Sequence, residues 1–164
     1  MAQFFPRESI AWRLEEPSAL RRFTVAIVPY GLAVGMLLRL FRWVVLAVVQ
    51  PAHPATFIAA YLIAIAALAA LTAGHLASFT LRSWRWRAPV FGLIVVAGES
   101  LTSLALTALG TERIGRLALA TFADWLPTSL MILWSRVILV ALFAGVLAIT
   151  VTVMRRTLHE PPLS

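Results

Sequence analysis

Apolar positions along this chain neither alternate nor recur as a single stripe. They gather into four unbroken runs, at residues 23–49, 55–81, 89–110 and 128–154. About 20 helical residues cross a hydrocarbon layer of about 30 Å, so each run is long enough to span one. In lipid a spanning segment must satisfy its own backbone, and a barrel would show short alternating strands instead. The pattern predicts an all-α integral membrane protein with four transmembrane helices. The breaks fall at Gln50-Pro51, Pro54, Pro89, Gly110, Pro127 and Arg155-Arg156, residue types that start or stop helices.

The segments outside the runs are short. Residues 1–22 mix Arg7, Arg13, Arg21 and Arg22 with Glu8, Glu15 and Glu16 and lack the apolar core of a cleavable signal. Phe4, Phe5, Ile10, Trp12 and Leu14 suit this segment to lying on a membrane surface. Residues 155–164 form a tail. Between the third and fourth spans, Thr111 is expected to cap a short interfacial helix ended by Pro127. Ile114, Leu117, Thr121 and Trp125 would share one face of it, with Arg113, Arg116 and Ala120 opposite.

Composition sharpens this reading. Hydrophobic residues make up 61% of the chain and charged ones 13%, against about 25% charged in soluble domains, which excludes a water-soluble globule. The absence of cysteine excludes disulfides and thiolate chemistry. The net charge of +7 comes with a strongly one-sided arginine distribution. Arg7, Arg13, Arg21, Arg22, Arg82, Arg85, Arg87, Arg155 and Arg156 fall on one side of a four-span bundle, and Arg113 and Arg116 on the other. The positive-inside rule then places both termini in the cytoplasm of a bacterial-type inner membrane. Trp84, Trp86 and Trp125 fit interfacial belts, and arginines interleaved with them need no nucleic acid to explain them.

Ionisable groups within the spans are costly and mark candidate sites. They are Arg39 and Arg42 in the first run, His75 in the second, Glu99 in the third and Arg136 in the fourth. At about 1.5 Å per residue, Arg39 and Glu99 lie roughly 18 and 16 Å below the ends of their runs, Arg42 and Arg136 roughly 10–13 Å. The expected arrangement is an ion pair between Glu99 and Arg39, with Arg42 or Arg136 as second partner. One acid against three bases leaves a positive excess that calls for an outside anion: a lipid phosphate, a ligand or a partner's carboxylate. His75 sits among small residues in Ala73-Gly74-His75-Leu76-Ala77-Ser78. A helix–helix hydrogen bond is its plain reading; a haem or a chlorophyll-type pigment held by this single histidine is the alternative. No other cofactor and no metal site is indicated.

Small residues mark close helix approach in membranes. Gly31 and Gly35 supply such a pair in the first run, and Ala66, Ala70, Gly74 and Ser78 a longer stripe in the second. That stripe predicts a second helix enclosed on two sides.

Catalytic signatures are missing. The sequence has no GxSxG, HExxH or phosphate-binding glycine loop, and Glu99 and Ser100 diverge by about 100° around their helix. The chain is therefore expected to be non-catalytic: an accessory subunit packed against a larger membrane complex, such as a respiratory or photosynthetic assembly, and against anionic lipids. The alternative is a small homo-oligomeric proton-coupled transporter or channel using Glu99. Arginines near a carboxylate hold it in its charged form, whereas coupling requires it to take up protons.

Overall fold

The computed structural model describes residues 19–48, 54–114 and 118–159. It contains helices α1 (Ala19–Val25), α2 (Ile27–Val48), α3 (Pro54–Ala77), α4 (Leu81–Ala108) and α5 (Phe122–His159). Residues Arg113–Ile114 and Ala118–Leu119 form two-residue strands, β1 and β2, paired antiparallel. Helices α2 to α5 are each long and apolar enough to cross a membrane, which makes this an all-α multi-pass membrane fold. The surface segment expected within residues 1–18 lies outside the described residues.

Helix boundaries follow local chemistry. Pro29 has no N–H to offer the Val25 carbonyl, and its ring crowds that oxygen, so the helix breaks at Ala26 and separates α1 from α2. Two prolines expected at helix starts or ends lie inside helices instead: Pro89 in α4 and Pro127 in α5. Consequently Arg82, Arg85 and Arg87 belong to the first turns of α4 rather than to a loop. At the other end of α4, Gly110 adopts φ 66°, the left-handed conformation that favours glycine. The amides of Gly110 and Thr111 then bond back to Thr107 (3.0 Å) and Leu106 (2.9 Å), a Schellman-type closure.

The interfacial helix expected over residues 111–126 is not formed. After the Gly110 turn the chain makes the β1–β2 hairpin, and helix resumes only at Phe122. Thr121 and Asp124 explain the restart: the Asp124 carboxylate accepts from the Thr121 hydroxyl (2.6 Å) and amide (3.2 Å), as in a capping box. Thr121 and Trp125 thus open α5 and do not line an amphipathic face.

The core is built around α4, whose buried side chains include Trp84, Phe91, Val95, Glu99 and Ser103. Gly31 faces Ile94, Gly35 faces Val95 and Gly98, and Arg39 reaches Ser103, so α2 and α4 run parallel. Helix α5 runs antiparallel to α4, with Val137 and Val140 against Gly92 and the Trp125 indole donating to the Ser100 carbonyl (3.2 Å). Helix α3 packs at the periphery. The indole of Trp84 pins the α3–α4 turn by donating to Leu76 and Phe79 carbonyls at 2.8 and 3.2 Å, so this residue is an internal clamp and not a belt residue.

The small-residue expectations divide. Gly31 and Gly35 do form a close interface. A Cβ on Gly35 would collide with the Val95 carbonyl oxygen, and one on Gly98 with the Leu32 carbonyl oxygen. The stripe on α3 does not enclose that helix: Ala66, Ala70 and Gly74 are exposed, Ser78 is half-buried, and the buried side carries Leu68, Thr72, His75 and Leu76.

Gly35→Ala should therefore destabilise the bundle by about 1–3 kcal/mol, the usual cost of overpacking. Gly145→Ala, where a Cβ meets nothing within 4 Å, should be neutral or slightly stabilising. Unfolding of the two variants in the same bilayer mimetic makes the comparison, and equal effects would contradict the backbone contact.

Candidate functional site

Five charged side chains from α2, α4, α5 and the segment leading into the hairpin gather near the hairpin end of the bundle. Four of them make two ion pairs. Glu99, 1% exposed, accepts from Arg136 Nε at 2.7 Å and from Nη2 at 3.4 Å, joining α4 to α5. Arg39, 2% exposed, donates through Nη2 to Glu112 Oε1 (2.6 Å) and through Nε to Oε2 (3.3 Å). Its Nη2 also donates to Ser103 Oγ at 2.9 Å. Both pairs use the guanidinium fork against two carboxylate oxygens, the arrangement best suited to a site without water.

The expected partners are thus partly exchanged. Glu99 takes Arg136, one of its two expected second partners, and not Arg39, while Arg39 takes Glu112, an acid beyond the end of the third run. Glu112 reaches Arg39 because the Gly110 closure turns the chain back over the end of α4, where the Glu112 amide also bonds to the Leu106 carbonyl (3.2 Å). The Trp43 indole anchors the same turn by donating to the Thr111 carbonyl at 3.1 Å. A glycine terminator two residues before an acid was the available signal. The charge count within the cluster is accordingly three bases and two acids, not three and one.

Arg42 is the base left over. It is half-buried and makes no hydrogen bond or ion pair with the described residues. It lies within electrostatic reach of Arg39 and Arg136, which repel it, and of Glu112 and Glu99, which attract it.

His75 lies elsewhere, in an aromatic nest that joins α3, α2, α4 and α1. Its ring is 0% exposed, stacks on Phe91 (centroids 5.0 Å, 12°) and Tyr30 (6.0 Å, 22°), and meets Phe79 at 5.1 Å. Nδ1 is 2.7 Å from the Thr24 carbonyl oxygen. A carbonyl only accepts, so Nδ1 carries the proton and Nε2 keeps its lone pair. Nε2 is buried, with no hydrogen-bond partner among the described residues. That tautomer would serve an axial ligand, but Nε2 is enclosed by protein atoms, and a tetrapyrrole could reach it only if neighbouring side chains moved aside. The bond to Thr24 ties α1 to α3, a helix-linking contact of the plain kind. Beside the nest, the Arg87 guanidinium lies 3.5 Å over the Phe79 ring.

Among the described residues no group of three metal-ligating side chains occurs. The chain matches no family model, no curated protein and no solved structure.

The two pairs predict a specific stability pattern. Removing one partner of a buried pair leaves an uncompensated charge and costs about 3–5 kcal/mol. Glu112→Ala should show that loss, while Arg39→Met combined with Glu112→Met should recover much of it. A double-mutant cycle of unfolding free energies checks this, and purely additive losses would remove the Arg39–Glu112 coupling.

Proposed function

We propose that the chain is a non-catalytic accessory subunit of a larger membrane complex, with both termini on the cytoplasmic side of a bacterial-type inner membrane. The observation carrying this reading is the outward direction of its small-residue surfaces. Ala66, Ala70 and Gly74 on α3 form a stripe at four-residue spacing that stays exposed among the described residues. Ala141 and Gly145 on α5 are likewise exposed, with open space beyond Gly145. In lipid such stripes let another backbone approach closely, which suits them to a helix of a partner chain.

The state of Glu99 supports the same reading over proton-coupled transport. Arg136 engages both of its oxygens, so the carboxylate is occupied as a structural tie between α4 and α5. Respiratory and photosynthetic assemblies are the kind of complex that uses small helical subunits of this form, and they supply the first candidates.

Purification from the native host in mild detergent should recover the chain with larger, different polypeptides at fixed stoichiometry. Leu substitutions at Ala70 and Gly74 should release it from them without unfolding it. Recovery as a self-oligomer whose proton-dependent uptake is lost on Glu99→Gln would overturn the proposal in favour of a transporter.

A further inference from the structure

The geometry points to a binding site for a phosphate-bearing anion at the hairpin end of the bundle, formed by Arg42 together with the free Nη1 of Arg39. Arg42 continues the face of α2 that carries Gly31 and Gly35, eleven and seven residues earlier, so it projects toward α4 and not away from it. One turn below, Arg39 spends Nε and Nη2 on Glu112 and Ser103, but its Nη1 is buried without an acceptor. Two guanidinium groups three residues apart therefore hold unused donors, and the cluster around them carries one positive charge more than its own carboxylates neutralise.

One monoanion with several acceptor oxygens answers both deficits. A phosphodiester carries that charge, and any phosphate has enough oxygens to meet the Arg42 fork and the Arg39 Nη1 at once. Position favours it over an acidic side chain from another protein. Arg42 is six residues from the end of α2 at Val48, about 9 Å of helix rise, within reach of the headgroup layer for a long side chain. The anion is either a lipid headgroup phosphate or free inorganic phosphate, and the site does not depend on what covers the outward faces of α3 and α5.

The test uses the full chain purified in detergent and stripped of lipid. Phosphatidylglycerol, phosphatidylcholine and inorganic phosphate are added separately, with bound mass read by native mass spectrometry and thermal stability in parallel. Retention of phosphatidylglycerol over phosphatidylcholine identifies a lipid headgroup; stabilisation by inorganic phosphate at millimolar concentration identifies the free ion. In either case Arg42→Gln should reduce binding at least tenfold, whereas Arg82→Gln, exposed at the opposite end, should leave it unchanged. If Arg42→Gln does not fold, Arg42→Lys keeps the charge, loses the fork and should still weaken binding several-fold. No binding by the unaltered chain, equal binding by the Arg42 variant that folds, or cross-linking of position 42 to another polypeptide with no response to phosphate, would each overturn the site.

Discussion

A guanidinium shut away from water is costly unless it is paired, and the turn at the hairpin end of this bundle answers that cost for Arg39. Arg39 must find an anion, and the nearest acid on its neighbouring helix, Glu99, is taken by Arg136. The carboxylate for Arg39 comes from Glu112, four residues past the end of α4, and the chain reverses sharply to deliver it. Gly110 permits that reversal, and the amides at Gly110, Thr111 and Glu112 bond back to α4 on the way. The loop conformation, the end of α4 and the position of α2 are consequences of one buried charge.

The glycine contacts make the same pairing geometrically available. Gly35 and Gly98 let the α2 and α4 backbones meet without intervening side chains, close enough for Arg39 to reach Ser103 one turn farther along. Larger residues at these positions would spread α2 from α4 and lengthen the contacts of Arg39 with Ser103 and Glu112. Packing and electrostatics therefore act on one interface, and neither can be altered without the other.

Much of this was legible from the chain itself, for identifiable reasons. Run length against bilayer thickness determines four spans whatever the details. The cost of charge in lipid singled out Arg39, Arg42, His75, Glu99 and Arg136; all but His75 gather at one end. Arg136 was among the expected partners of Glu99, but the Arg39–Glu112 pair was not legible, because counting depth along each helix ignores what a left-handed residue at Gly110 does to the residues after it. Residues 111–126 carried a short helical periodicity that the Thr121–Asp124 cap overrides by restarting the helix later. The stripe Ala66-Ala70-Gly74 predicts enclosure of α3 on two sides and is instead exposed, because spacing alone does not say whether a small-residue face meets another helix of the same chain.

The wide separation of Arg39 from its acid bears on how the protein is made. The two residues are 73 positions apart, with α3 and all of α4 between them. When α2 leaves the ribosome, Glu112 has not yet been synthesised, so this span carries two guanidinium groups, Arg39 and Arg42, before the carboxylate that meets Arg39 exists. The stable seat of Arg39 waits for the third span and the turn beyond it. Until then the nascent chain depends on the insertion machinery, or on water and headgroups drawn inward, to hold that charge.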